Sequence, residues 1–107
     1  VVDNDIAYDI AMLTADQIRE VRQQVEALRR RAGSVHHREV EPILDRVCNR
    51  RAAGREPYAW TSKVGRRGFP ITVPRHPKPL APGTLRNILD DIEAELNTME
   101  ELLDQQG

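Results

Sequence analysis

The sequence holds a single cysteine, Cys48, so no disulfide can close within the chain, and no spacing of cysteine and histidine matches a metal site. Four residues are aromatic (Tyr8, Tyr58, Trp60 and Phe69), which leaves a core built mainly from leucine, isoleucine, valine and alanine. Such a core favours helices and excludes a large all-β fold. No stretch approaches the roughly 18 apolar residues that a membrane span needs. The first nine residues carry Asp3, Asp5 and Asp9 where a secretory signal would carry positive charge. Gly65 and Gly68 bracket two arginines without a P-loop pattern. These absences predict a soluble, cytoplasmic chain with no membrane partner, metal or cofactor, and its 107 residues suit one domain.

What is present is charge, and it is segregated. The net charge is −1, yet Arg46 to Lys78 holds nine basic residues against Glu56 alone, a local balance of +8. Pro79 to the end holds seven acidic residues against Arg86, a balance of −6. Opposed halves of this kind suit a basic segment that meets a polyanion, with a solvated basic loop as the plainer reading.

The hydrophobic pattern divides the chain into a tail (1–12), a helical unit (13–33) and a mixed unit (34–107). Leu13-Thr14-Ala15-Asp16-Gln17-Ile18 is a complete helix start, with Thr14 and Gln17 as a capping box and Leu13 and Ile18 as a hydrophobic staple. Ile18, Val21, Val25, Leu28 and Ala32 continue it at helical spacing, and Gly33 is placed to end it. Ser34 is a cap candidate for a second helix carrying Val40, Ile43, Leu44 and Val47. Pro42 is best tolerated at the first helical position, so the regular helix is expected near Glu41 and to run until Gly54.

From Gly54 to Gly83 glycines and prolines interrupt the chain. Tyr58–Ser62 and Phe69–Val73 read as a β-hairpin with a basic tip, its second strand kept short by Pro70 and Pro74. Thr84 is the expected N-cap of a last helix of about 20 residues, roughly 30 Å long. Its seam, Leu85, Leu89, Ile92, Leu96, Met99 and Leu103, has heptad spacing. This acidic helix and the arginine-rich first helix have complementary flanks, and they suit either an intramolecular pair or a homodimer. The expected fold class is α+β, a small antiparallel sheet packed by helices, with the long N- and C-terminal helices paired.

Two linked motifs, Ile71-Thr72-Val73-Pro74-Arg75-His76 and Leu80-Ala81-Pro82-Gly83-Thr84-Leu85-Arg86-Asn87-Ile88-Leu89, resemble the C-terminal half of the HicA family of bacterial toxins. The likeness covers about a fifth of the chain. It implies a fold similar to a double-stranded-RNA-binding domain, mRNA cleavage, and neutralisation by a cognate HicB-type antitoxin. The family's catalytic histidine stands in an early strand, and Glu56-Pro57 occupies that place here. Gly33-Ser34-Val35-His36-His37 resembles the family's histidine string but precedes the second helix, so the family role is not transferred to His36 or His37.

Cleavage by 2′-OH attack needs a proton acceptor, a proton donor and cations for the phosphorane. His76 lies inside the basic segment and is the candidate catalytic residue, with phosphate contact as its simpler role. Arg66, Arg67, Arg75, Lys78, Thr84 and Arg86 are the candidate RNA-binding residues, Thr84 through the amides of a helix N-terminus. Tyr58, Trp60 and Phe69 suit base stacking or the core, and their scarcity favours the core. Cys48 reads as a small buried hydrophobe before a reactive thiol. The alternative to an RNA-directed toxin is a catalytically inactive module that dimerises through its heptad helices.

Overall fold

A computed structural model describes residues 13–51, 59–65 and 70–106. The tail at 1–12, the Glu56-Pro57 site, Tyr58, and the hairpin tip with Arg66, Arg67 and Phe69 lie outside the described residues. Helix α1 (Ala15–Arg29) starts as its capping box requires: the Thr14 hydroxyl accepts the Gln17 N–H at 3.2 Å, and the Gln17 side chain accepts the Thr14 N–H at 2.9 Å. It stops one turn before Ala32. The N–H groups of Arg31 and Ala32 bond back three residues, and Gly33 adopts φ +96°, which turns the chain toward the next helix and leaves Ala32 exposed.

Helix α2 (His37–Val47) departs from expectation at both ends. Ser34 does not cap it; its hydroxyl donates to the Arg31 carbonyl at 2.9 Å. His36 is the N-cap, and the Glu39 carboxylate accepts its N–H at 3.0 Å. Pro42 lies inside the helix on its exposed side. The hydrogen bond it removes is outweighed by burial of Val40, Ile43, Leu44 and Val47 on the opposite face. The helix also ends well before Gly54, because Cys48 turns extended and opens strand β1 (Cys48–Arg51).

Strands β2 (Ala59–Ser62) and β3 (Ile71–Thr72) complete an antiparallel sheet in the order β1-β2-β3. Cys48 stands opposite Ser62, Arg51 opposite Ala59, and Trp60 opposite Ile71. The β2–β3 hairpin is the expected one, and β3 is short between its two flanking prolines. Helix α3 (Pro82–Gln106) starts two residues before Thr84. Pro82 presets the backbone at the first helical position and the Ala81 carbonyl accepts the Leu85 N–H at 2.9 Å, so Thr84 is not an N-cap.

The protein is therefore α+β, three helices with a small three-stranded antiparallel sheet among the described residues. One hydrophobic cluster joins Ile18, Val21, Val25 and Leu28 of α1 to Leu85, Leu89, Ile92, Leu96 and Met99 of α3, and extends through α2 to Trp60 and Ile71. Arg22 reaches Asn97 and Glu100, and Arg29 reaches Asp90 and Glu93, so α1 and α3 run antiparallel with complementary flanks. The heptad seam is thus occupied within the chain. Glu95 on α3 is fully buried, and its carboxylate accepts the Ser62 hydroxyl at 2.9 Å and the Lys63 N–H at 2.8 Å, fastening the end of β2 to the helix. No described helix is long and apolar enough to cross a membrane.

Candidate functional site

The β3–α3 connection passes the start of α2 because both are pinned in the core. Val35, Val73 and Leu80 are buried, and the Leu80 N–H donates to the Val35 carbonyl at 2.7 Å. The turn at 76–78 is thereby laid against the first residues of α2. A cavity of about 430 Å³ opens between them, lined by His36, His37, Arg38, Arg75, His76 and Pro77. All three histidines of the sequence line it.

Two of the lining residues, His37 and Arg75, contact Glu41, which lies one helical turn beyond His37 and is 8% exposed. Its Oε2 is 2.8 Å from His37 Nδ1, while Arg75 donates to both oxygens, from Nε at 3.0 Å and from Nη2 at 2.8 Å. A carboxylate taken from water requires such partners. His36 has a looser relation to Glu39, 3.9 Å between Nδ1 and Oε2, and Glu39 is itself bound by Arg31. His76 is exposed and makes no hydrogen bond or ion pair among the described residues. The described residues hold no cluster of His, Cys, Asp and Glu able to bind a metal ion.

Burial alone pushes the Glu41 carboxyl up, but hydrogen bonding and charge from Arg75 and His37 outweigh it and hold the group below its ordinary value of 4.5. Glu39 is also lowered, mainly by the Arg31 guanidinium and the His36 N–H. A lowered folded value means the contribution is complete at neutral pH and is lost as pH falls from about 4.5 through the folded value. Glu41→Gln is therefore expected to cost about 1.5 kcal/mol at neutral pH. Thermal melts should also show a smaller loss of stability between about pH 5 and 3 in this variant than in the parent.

The described residues among those predicted from the sequence do not all line one cavity. Arg75 and His76 share the histidine cavity. Arg86 lines a second cavity of about 220 Å³ at the first turns of α3, with Arg29, Ala32, Pro82, Gly83 and Leu85. Lys78 and Thr84 line neither. Lys78 and Arg86 are exposed, on either side of the α3 start. Within the basic segment, Arg46 pairs with Glu20, Arg50 with Asp45 and Arg75 with Glu41. These acids come from α1 and α2 and precede Arg46 in the chain.

Trp60 is core, 1% exposed, with its Nε1–H donating to Asp45 at 2.9 Å. Cys48 is also buried. Sequence reasoning missed the grouping of His36, His37, Arg38 and Glu41. One signal for it was present, because a histidine four residues before a glutamate on a helix sets imidazole against carboxylate.

No family model, curated protein or solved structure matches the chain.

Proposed function

We propose that the chain is a HicA-like RNA-binding protein of a bacterial toxin–antitoxin pair, with a core similar to a double-stranded-RNA-binding domain. The carrying observation is where the two motifs fall. Ile71–His76 is the last strand and the turn after it, and Leu80–Leu89 opens the last helix, of an α2-β1-β2-β3-α3 unit with an antiparallel sheet in sequence order. That order is the one the resemblance requires. Exposed Lys78 and Arg86 flank the start of α3, where Gly83 and Thr84 hold first-turn amides suited to phosphate. On this reading the ligand is mRNA, the site of action is the bacterial cytoplasm, and a HicB-type antitoxin covers the surface. The rival reading, a homodimer through the heptad helices, loses its main support because Leu89, Ile92 and Leu96 are buried against α1.

The test is the affinity for a single-stranded RNA oligonucleotide across a salt series. The logarithm of the binding constant should fall linearly with the logarithm of salt concentration, and Lys78→Ala and Arg86→Ala should each lower the slope by about 0.7. The same loss is expected of Arg66→Ala and Arg67→Ala. Binding that ignores salt, or no binding, contradicts the proposal.

A further inference from the structure

We propose that the groove between α1 and α2 is the docking site of the chain's own acidic N-terminal segment, residues 3–10. The groove encloses about 430 Å³ and is lined by Ala27 and Leu28 of α1 and by Arg38, Pro42, Ile43 and Arg46 of α2. Ala27 and Pro42 are exposed, so the described residues leave apolar surface uncovered there. Glu39, also in the lining, is already bound by Arg31 at 2.6 and 3.3 Å and accepts the His36 N–H. Arg38 is exposed and has no ion pair among the described residues, and Arg46 pairs with the exposed Glu20 at 2.8 Å. The two arginines stand about 12 Å apart along α2, with Pro42 and Ile43 between them in the chain. The backbone adds a polar anchor. Pro42 carries no N–H, so the Arg38 carbonyl lacks the donor that a helix supplies four residues on.

Sequence and reach select the occupant. Residues 1–12 carry Asp3, Asp5 and Asp9 with no basic residue, and Ile6, Tyr8 and Ile10 are interleaved with them. That composition complements a groove of arginines and apolar side chains, and the segment brings backbone N–H groups and the Tyr8 hydroxyl as donors for the Arg38 carbonyl. Leu13 packs against the hydrophobic cluster, so the chain enters α1 from the core side. Gln24 and Leu28 lie about 14 and 20 Å along α1 from Ala15. The ten residues from Leu13 back to Asp3 cover about 15 Å at helical rise and about 33 Å when extended, so a segment folded back beside α1 reaches the groove. Attachment to α1 keeps the segment at high local concentration, which favours it over a partner in solution. The proposal does not depend on the RNA-binding reading.

Hydrogen exchange of the full chain, followed amide by amide by NMR, tests it. The amides of Ile6, Tyr8 and Ile10 should exchange at least about 10-fold more slowly than in a synthetic peptide of residues 1–12. Arg38→Glu, at an exposed position, should return them to within about twofold of the peptide rate while the core amides of Leu44 and Leu89 keep their protection. The triple substitution Ile6→Ser, Tyr8→Ser and Ile10→Ser should shift the amide signals of Ala27 and Ile43. Segment amides at the peptide rate in the parent, protection that Arg38→Glu leaves intact, or Ala27 and Ile43 signals that stay fixed in the triple variant overturns the proposal. Protection that falls on dilution by about tenfold places the segment in a second copy and overturns the same-chain occupant.

Discussion

Leu96→Asp is expected to unfold the protein. Leu96 is fully buried on α3, in the cluster that joins this helix to α1, with Ile92 and Met99 on the same seam. Truncating such a leucine to alanine typically costs about 2–5 kcal/mol, and a carboxylate without a partner in that position adds its own desolvation penalty. The sum approaches the about 5–15 kcal/mol that holds a domain of this kind together. Circular dichroism at neutral pH should show loss of helix and no cooperative thermal transition. Were the seam a dimer interface, the same substitution would release a folded monomer, which sedimentation would detect with the helical signal intact.

Trp60→Ala is expected to cost about 3–5 kcal/mol, because the ring is 1% exposed and is the largest side chain buried in the core. The melting temperature should drop by at least about 12 °C. Trp60 also links three elements: Asp45 on α2 accepts its Nε1–H, and Arg50 on β1 lies with Cζ 5.7 Å from the ring centroid while bonding Asp45 through Nε and Nη2. Trp60→Phe retains most of the packing and should cost about 1.5 kcal/mol through the lost hydrogen bond. A base-stacking role would give the opposite pattern, with stability unchanged and RNA affinity reduced.

The two long helices were legible in the sequence because each repeats one signal over several turns, and Thr14-Gln17 fixes where α1 begins. The β2–β3 hairpin was legible from its β-branched and aromatic residues and its two prolines. Strand β1 was not. Cys48-Asn49-Arg50-Arg51 has no alternation and no breaker before it, so the pairing with β2 that makes it a strand is a tertiary effect. Pro42 misled for a similar reason, since local chemistry places it at a helix start while the buried face of α2 carries the helix past it.

The site shows the same division. Its cations and His76 could be read from composition and motif, but charge counted along the chain could not show that Arg46, Arg50 and Arg75 meet carboxylates from earlier helices. Nor could spacing show that His36 and His37 stand beside His76. That proximity depends on Val35 and Leu80 meeting in the core, and on Arg75 closing over Glu41.

Imidazole proton resonances give the most direct measurement, because the sequence contains three histidines and each ring reports separately. Titration with single-stranded RNA at low salt should shift the ring signals of His36, His37 and His76 together and saturably, with the effect fading as salt rises. Ring signals that stay fixed while RNA saturates the protein would place the ligand elsewhere and contradict the account.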